Sequence, residues 1–445
     1  MATYTFSTIT PAEALAITAA DAVLFGNVAA NQVTVIYNPA GTVTVTAAGR
    51  TVEFGSAFAT LGANGRTPLS TDARLFVGDN GANASPAPNG VVLSDGLYGG
   101  GGEDTLDGGL GDDLLQGNQG ADYLLGGGGR DVIYGGQDND RIVTTVEALD
   151  GVTLPANDGG DFAQGNRGDD VIVGGPGADT LLGGQGNDSI SSLAGGTDIL
   201  NGNLGDDRIE GAGTLLGEGG ADTLIGTGAA DSLFGGDGDD RITMAQGQAD
   251  GGLGADRIEV RLGAGEAVVL GGDGADTLQA QLASRALNVR FSGGEGQDSL
   301  QGSGGVDTLA GDAGGDTIDG LGGRDRVTGG EGQDQFQIRS YAQDSDGAPA
   351  DPISVLDWET GDRLKFAFEG FTFGSALNYR EITAGSYAAS FDAAKAAVAA
   401  AQGSQYVAVQ VGADVVVFGF GGGSDPASVI LVGRGLADIA FDNFV

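Results

Sequence analysis

The chain has no cysteine and no histidine, and only 6% of its 445 residues are aromatic. Without cysteine no disulfide holds the fold and no thiol can act as nucleophile. Without histidine there is no Ser-His-Asp triad, no H-E-x-x-H zinc site and no imidazole ligand for a transition metal. Neither a G-x-S-x-G elbow nor a phosphate-binding P-loop occurs. Basic residues are scarce as well: 20 face 61 acidic ones, giving a formal charge of −41, and the only lysines are Lys365 and Lys395. Such a surface repels nucleic acid and anionic membranes. No apolar run approaches the roughly 18 residues of a spanning helix. The opening "MATYTFSTITPAEALAITAADAVLFG" also lacks the basic start and long apolar core of a secretory signal. The expectation is a soluble protein, neither inserted in a membrane nor exported by an ordinary N-terminal signal. Paired carboxylates of a glycosidase are compatible with the composition. The placement of the acids has a different explanation, however, and the expectation is that the chain is not an enzyme.

What the sequence has in abundance is glycine, 87 residues of it, arranged in a repeat. From about Gly90 to Gln337 the nine-residue phrase G-G-x-G-x-D-x-U-x, with U aliphatic, recurs roughly nineteen times, with two degraded copies besides. The U column runs through Leu106, Leu115, Leu124, Ile133 and Ile142 and ends at Val327 and Phe336. Six glycine-rich residues can take up the positive φ angles of a tight turn and gather carbonyl oxygens around one point, where the sixth residue adds a carboxylate. The last three form a short strand whose middle side chain points inward. Two phrases make one coil of a flattened helix, with a thin aliphatic core and two outer ridges of turns. Only oxygen ligands are on offer, which suits a hard cation.

The candidate ligands are the sixth-place aspartates Asp104, Asp113, Asp122, Asp131, Asp140, Asp170, Asp179, Asp188, Asp198, Asp207, Asp222, Asp231, Asp240, Asp256, Asp276, Asp298, Asp307, Asp316, Asp325 and Asp334. With them go the turn glycines Gly102, Gly111, Gly120, Gly129, Gly168, Gly177, Gly186, Gly205, Gly220, Gly238, Gly254, Gly274, Gly296 and Gly314. This tandem array resembles the RTX (repeat-in-toxin) proteins, whose parallel β-roll binds calcium in such turns. The resemblance implies that these aspartates and the nearby carbonyls coordinate Ca2+ shared between turns one coil apart. Roughly fifteen to eighteen ions would add about +30 to +36 and nearly cancel the formal charge.

One ridge is almost continuous, with repeats starting at Gly99, Gly117, Gly135, Gly165, Gly183, Gly202, Gly217, Gly235, Gly251, Gly271, Gly293, Gly311 and Gly329. The other is broken by weakened copies ending in "DFAQ" and "GGTDILN" and by "GAGTLL", "MAQGQAD", "VRLGAGEAVVL" and "AQLASRALNVRFS". In those last four segments Leu215, Ala249, Val269 and Phe291 still fill the inward place, so the strand survives where the calcium turn is lost. Thr144 to Pro155 reads as an insertion on that side. Decay of repeats explains the broken ridge; a surface for a partner or a second copy, including Val268, Leu270, Leu287 and Arg290, is the alternative.

Outside the repeats, residues 1–90 read as a small β-rich domain. Val33, Val35 and Tyr37, then Val43, Val45, Val52 and Phe54, alternate with polar neighbours, and "GDNGANASPAPNG" from Gly78 reads as a linker. Residues 91–337 are the β-roll and 338–445 a capping domain. There "ISVLDWETGDRLKF" suggests a hairpin, "SYAASFDAAKAAVAAAQG" a helix with Ser390 as N-cap, and "QYVAVQVGADVVVFGF" a second hairpin. Asp357, Trp358, Gly361 and Asp362, then Asp442, Asn443, Phe444 and Val445, resemble the C-terminal module of serralysin-type proteins. That resemblance implies export of the uncleaved chain by type I secretion machinery.

The fold expected is therefore all-β: a parallel β-roll flanked by a small N-terminal β domain and a C-terminal β-rich cap with one helix. The function expected is that of a secreted, calcium-dependent structural protein at the cell surface or in an extracellular matrix, self-associating into a layer or filament. The alternative is a non-catalytic protein that binds extracellular polysaccharide or mediates adhesion. It predicts exposed aromatics, for which Tyr98, Tyr123 and Tyr134 are the main cluster.

Overall fold

A computed structural model describes residues 2–18, 21–25, 28–60, 74–85, 92–145, 159–192, 196–261, 265–281, 287–339, 353–359, 361–367, 379–384, 393–394, 406–419 and 427–439. Its contacts define two units, Met1–Ile225 and Gly226–Val445. Each contains a segment of parallel β-roll.

The first unit begins with a small domain. Strands Thr34–Tyr37, Val43–Ala47 and Arg50–Phe54 form an antiparallel meander in which Val35, Val45 and Val52 share one face. That face closes over Phe6, Phe25, Phe54 and Phe58, whose rings stack in succession. The short helix Pro11–Leu15 starts at Thr10 with a reciprocal capping box to Glu13, which satisfies the free N–H groups of its first turn. Strand Leu75–Val77 then pairs in parallel with Gly96–Gly101, the first roll strand of this face.

From there two parallel sheets alternate. One carries Thr105–Leu110, Tyr123–Gly128, Arg141–Thr145, Val171–Gly174, Ser189–Ser192 and Arg208–Gly211. The other carries Gly96–Gly101, Leu114–Gln119, Val132–Gln137, Phe162–Arg167, Thr180–Gln185, Asp198–Leu204 and Gly213–Gly219. Their inward columns, Leu106–Leu124–Ile142–Ile172–Ile190–Ile209 and Leu97–Leu115–Ile133–Ala163–Leu181–Leu200–Leu215, are buried throughout. Each such aliphatic side chain contributes about 1.5–3 kcal/mol by leaving water. A core this thin has no third layer behind it, so the turns must hold the coil edges.

The second unit repeats the plan. Its columns are Ile242–Ile258–Leu278–Leu300–Ile318–Phe336–Leu364 and Leu233–Ala249–Val269–Phe291–Leu309–Val327–Val355. Ala249, Val269 and Phe291 are buried as their spacing requires, so the inward strand does persist through the irregular segments. The roll is closed by an added sheet in which Ile353–Val355 pairs with Ala427–Leu431, and Ala427–Leu431 with Asp414–Gly419. Asp414–Gly419 and Tyr406–Val411 form the hairpin expected across the Gly-Ala-Asp turn.

Three expectations are corrected. Ile353–Val355 and Arg363–Ala367 are not a hairpin: they join opposite sheets, in parallel with Arg326–Gly332 and Gln335–Arg339, and so make one more coil. The reason is that Asp362 and Leu364 occupy the sixth and eighth places of a repeat whose glycines have been replaced by "DWETG". Trp358, buried in that turn, lies 6.1 Å from the Phe336 ring, and its indole N–H donates to the Asp438 carbonyl. The first residues of the linker at Gly78 instead form a turn on the ridge, where the Asn83 N–H donates to Asp104 Oδ1 at 2.7 Å. Tyr98 is not exposed: the N-terminal domain covers it, and its hydroxyl donates to the Val33 carbonyl. The helix expected at Ser386–Gly403 lies outside the described residues except for a helical pair at 393–394, as do most of the 144–155 insertion and the final residues 440–445.

Candidate metal centre

The sixth-place aspartates stand in ladders running along the ridges. On the nearly continuous ridge the Asp104 N–H donates to Asp122 Oδ1 at 2.8 Å, and the Asp122 N–H donates to Asp140 Oδ1 at 2.8 Å. The same link joins Asp140 to Asp170, Asp170 to Asp188 and Asp188 to Asp207 in the first unit. In the second it joins Asp240, Asp256, Asp276, Asp298, Asp316, Asp334 and Asp362 in turn. One carboxylate oxygen therefore has a fixed structural task.

The other oxygen does not. Oδ2 of Asp104, Asp113, Asp122, Asp140, Asp170, Asp188, Asp207, Asp256, Asp276, Asp298, Asp316, Asp325 and Asp334 is buried and accepts no hydrogen bond among the described residues. It stands against the first glycine of its own repeat and, in every turn but those of Asp207, Asp325 and Asp334, beside a carbonyl oxygen of the next coil. A methyl group placed on Gly117 would collide with Asp122 Oδ2 and stand 2.7 Å from the Gly135 carbonyl oxygen. The fourth-place glycines Gly102, Gly111, Gly120, Gly129, Gly168, Gly186, Gly205, Gly220, Gly238, Gly254, Gly274, Gly296 and Gly314 all have φ between +92° and +147°, a region that L side chains avoid. A methyl on Gly120 would strike the Gly102 carbonyl oxygen, so these carbonyls follow one another from coil to coil.

Burial without a counter-charge raises the aspartate pKa values. For Asp122, burial is the main cause and the Asp138 charge adds to it; the hydrogen bond from Asp104 opposes them, and the carboxyl is pushed up to about 7. Asp140 reaches about 8, again chiefly through burial, with Asp170, Asp122 and Asp138 adding repulsion. Asp104, Asp188 and Asp207 reach about 7 for the same first reason. Among the described residues no group of three or more acidic side chains converges on one point. A cation here would thus rest on main-chain carbonyls with one or two carboxylates, an all-oxygen donor set that suits Ca2+.

One turn carries its own cation. Asp95, two residues before the inward Leu97, lies at the N-terminal end of the second ladder and donates its N–H to Asp113 Oδ1. The Arg74 guanidinium donates to Asp95 Oδ2 at 2.5 Å, to the Asp107 carbonyl at 3.1 Å and to the Gly108 carbonyl. Oδ2 of the ladder aspartate and the carbonyl thirteen residues on are the same pair that meets at the Gly117 turn, where they belong to Asp122 and Gly135. A positive charge fits there.

On the broken ridge several turns are closed by the protein itself. Oδ2 of Asp179 accepts from the Gly175 N–H at 2.9 Å, that of Asp231 from the Gly228 N–H at 2.7 Å, and that of Asp307 from the Ser303 N–H at 2.6 Å; Asp198 Oδ2 accepts from the Ser192 hydroxyl. Gly177, in the Asp179 turn, is the one fourth-place glycine of the predicted set without a left-handed φ. Asp131, Asp222, Asp240 and the unpredicted Asp161 are buried at ladder positions. Sequence reasoning missed Asp95, Asp161 and Asp362 because the leading glycines are gone. The surviving signal is D-x-U one coil from a good repeat.

The arrangement defines a class: a parallel β-roll whose turns are built for hard cations. The profile of the RTX calcium-binding nonapeptide repeat matches residues 94–115, 107–142, 155–190, 194–213, 216–248, 290–318 and 301–336. These segments are RTX calcium-binding nonapeptide repeats. Two solved structures are similar to part of the chain, both solution structures of subunits of the Azotobacter vinelandii mannuronan C5-epimerase. AlgE6R3 is 24% identical over 37% of this chain and 80% of its own, with a TM-score of 0.25; AlgE6R2 is 25% identical over 35% and 90%, with a TM-score of 0.20. No curated protein matches the chain. Among the described residues no helix is long and apolar enough to cross a membrane.

Proposed function

We propose that this chain is an extracellular, calcium-folded structural protein of the cell surface or matrix that acts without catalysis and self-associates into a layer or filament. The observation that carries the calcium part is the contrast between Arg74, which fills the Asp95 turn, and the ladder turns whose Oδ2 atoms face carbonyls with no protein donor. Such turns repel one another without a cation and hold the coil edges with one. Calcium is scarce in the cytosol and abundant outside, so the chain travels as a flexible polymer, through type I secretion machinery, and becomes rigid after export. The ladder residues Asp104 to Asp334 and the turn carbonyls are the ligands in this reading.

Self-association is supported by apolar side chains on the outer face of the second unit. Phe234 and Leu270 lie in one outward column with Asp250 between them, 40% and 44% exposed, and Leu253 is 49% exposed beside them. A roll that needed no partner would gain from polar residues there. The test is light scattering with negative-stain imaging, first in chelator and then in millimolar calcium. Growth into filaments or sheets on adding calcium, lost in Phe234→Ser with Leu270→Ser, supports the reading. A discrete folded monomer under both conditions rejects self-association.

A further inference from the structure

Away from the cation turns, the N-terminal domain and the roll of the first unit enclose an open cleft of about 1410 Å³. One wall is the strand Thr34–Tyr37 with the turn that follows it. The other is the outer face of Leu114–Gln119, Val132–Gln137 and Phe162–Arg167. In a chain with 61 acidic residues, Asp79 is the one acid among the described lining residues. Its Oδ1 is already engaged by the Gly81 N–H at 2.9 Å and Asn83 Nδ2 at 3.2 Å.

What the roll presents instead is uncharged amides, one aromatic ring and one guanidinium. The strand register places Gln119, Gln137 and Arg167 in one column and Gln116, Tyr134 and Gln164 in the next. Gln119, Gln137 and Arg167 are exposed, and their side chains form no hydrogen bond or ion pair among the described residues. Tyr134 is held by the Phe162 ring, with centroids 5.7 Å apart, so its orientation is set before any ligand arrives. A carboxamide both donates and accepts, as a sugar hydroxyl does, and an aromatic face packs on the C–H face of a pyranose ring. The columns repeat at the strand spacing of about 4.8 Å, which offers hydrogen-bonding groups in register to a polymer with hydroxyls on every residue. The roll wall offers a peptide strand no free sheet edge, because Leu114–Gln119, Val132–Gln137 and Phe162–Arg167 are each paired on both sides; the edge strand Thr34–Tyr37 opposite is the place where a peptide would compete.

We infer that this cleft is an oligosaccharide-binding site, with the Gln119–Gln137–Arg167 and Gln116–Tyr134 columns reading vicinal hydroxyls along one glycan strand. The inference stands apart from self-association, since it concerns residues of the first unit and a different readout. The vicinal hydroxyl is common to neutral and uronic glycans, and Arg167 is the group that would tell them apart, since a guanidinium matches a carboxylate.

The test is calorimetric titration of the full chain, folded in millimolar calcium, with cellohexaose, mannohexaose and a hexamer of galacturonate. The expected result is saturable binding of at least one hexamer with a Kd of about 1 mM or tighter. Tyr134→Ala and Gln137→Ala should each weaken it by about ten-fold or more, a change of about 1.4 kcal/mol, while Tyr134→Phe stays close to wild type. Loss on Arg167→Ala confined to galacturonate assigns a uronic ligand. Neutral binding untouched by Arg167→Ala assigns a neutral one. Circular dichroism in calcium checks that each variant keeps the β-roll. Failure of all three hexamers to bind, or binding that survives both Tyr134→Ala and Gln137→Ala in folded protein, overturns the inference; neither result bears on whether calcium drives assembly.

Discussion

Replacing Asp122 by asparagine should have opposite effects with and without calcium. Asparagine keeps the side-chain oxygen that accepts from the Asp104 N–H, and its own N–H still reaches Asp140 Oδ1, so both 2.8 Å ladder bonds survive. What is lost is the charge on the buried Oδ2. In the calcium-free fold that charge is costly: the carboxyl stands near 7 against an ordinary value of 3.8. At 1.36 kcal/mol per pKa unit this sets a ceiling of about 4 kcal/mol at pH 7.5, which screening by water lowers to about 1–2 kcal/mol. Asp122→Asn should therefore stabilise the chelated fold by about that amount. In calcium it should destabilise the fold by about 1–3 kcal/mol, because a neutral ligand replaces a charged one. The assay is a pair of urea melts followed by far-ultraviolet circular dichroism, with an osmolyte added to both so that the calcium-free roll is populated. Asp179→Asn is the control, since its Oδ2 already accepts from the Gly175 N–H; it should destabilise to the same extent in both conditions. Equal destabilisation by Asp122→Asn in chelator and in calcium would refute the reasoning and leave the carboxylate a hydrogen-bonding strut.

Further outcomes follow from the same geometry. Arg74→Ala strands the buried Asp95 carboxylate, so in chelator with the same osmolyte it should cost about 3–5 kcal/mol; in calcium the loss should be partly recovered, as that turn comes to resemble its neighbours, and thermal melts in both conditions measure the difference. The ladder aspartates have folded pKa values raised to about 6–8, so the stability they lend the calcium-free fold is full below about pH 4 and is lost as pH rises through that window. With the same osmolyte present, the melting temperature in chelator should then rise as pH falls from 8 to 5, while calcium affinity falls over the same range through proton competition. Leu124→Ala, emptying a fully buried place between Leu106 and Ile142, should cost about 2–5 kcal/mol both in calcium and in chelator with osmolyte, as read from urea midpoints.

The repeat period made the inward column and the two ridges legible, because a strand of three residues with one aliphatic centre has a single way to face a thin core. Leu215, Ala249, Val269 and Phe291 could be placed even where the glycines had vanished. The period could not say which oxygen of each aspartate holds the ladder, since that depends on a donor eighteen residues away. Nor could it separate Asp179, Asp198, Asp231 and Asp307 from the other turns: the N–H donors of Gly175, Gly228 and Ser303 arise from local chain path, and the Ser192 hydroxyl reaches Asp198 only because of where that path places it. Strand parity alone turns Tyr98 outward, whereas the N-terminal domain decides what lies outside and buries it. The Asp357–Asp362 turn reads as a hairpin in sequence because its glycines are replaced, though Asp362 and Leu364 keep the register. Arg74 was invisible in sequence, being 21 residues from the carboxylate that it neutralises.

Calcium as the missing part of the fold is tested most directly by titrating Ca2+ into chelated full-length protein at pH 7.5 while following far-ultraviolet circular dichroism and heat together. The account predicts a cooperative gain of β signal with several ions bound per chain, reversed by chelator and not produced by the same concentration of Mg2+. A full β signal in chelator that calcium leaves unchanged, with no heat of binding, would contradict it.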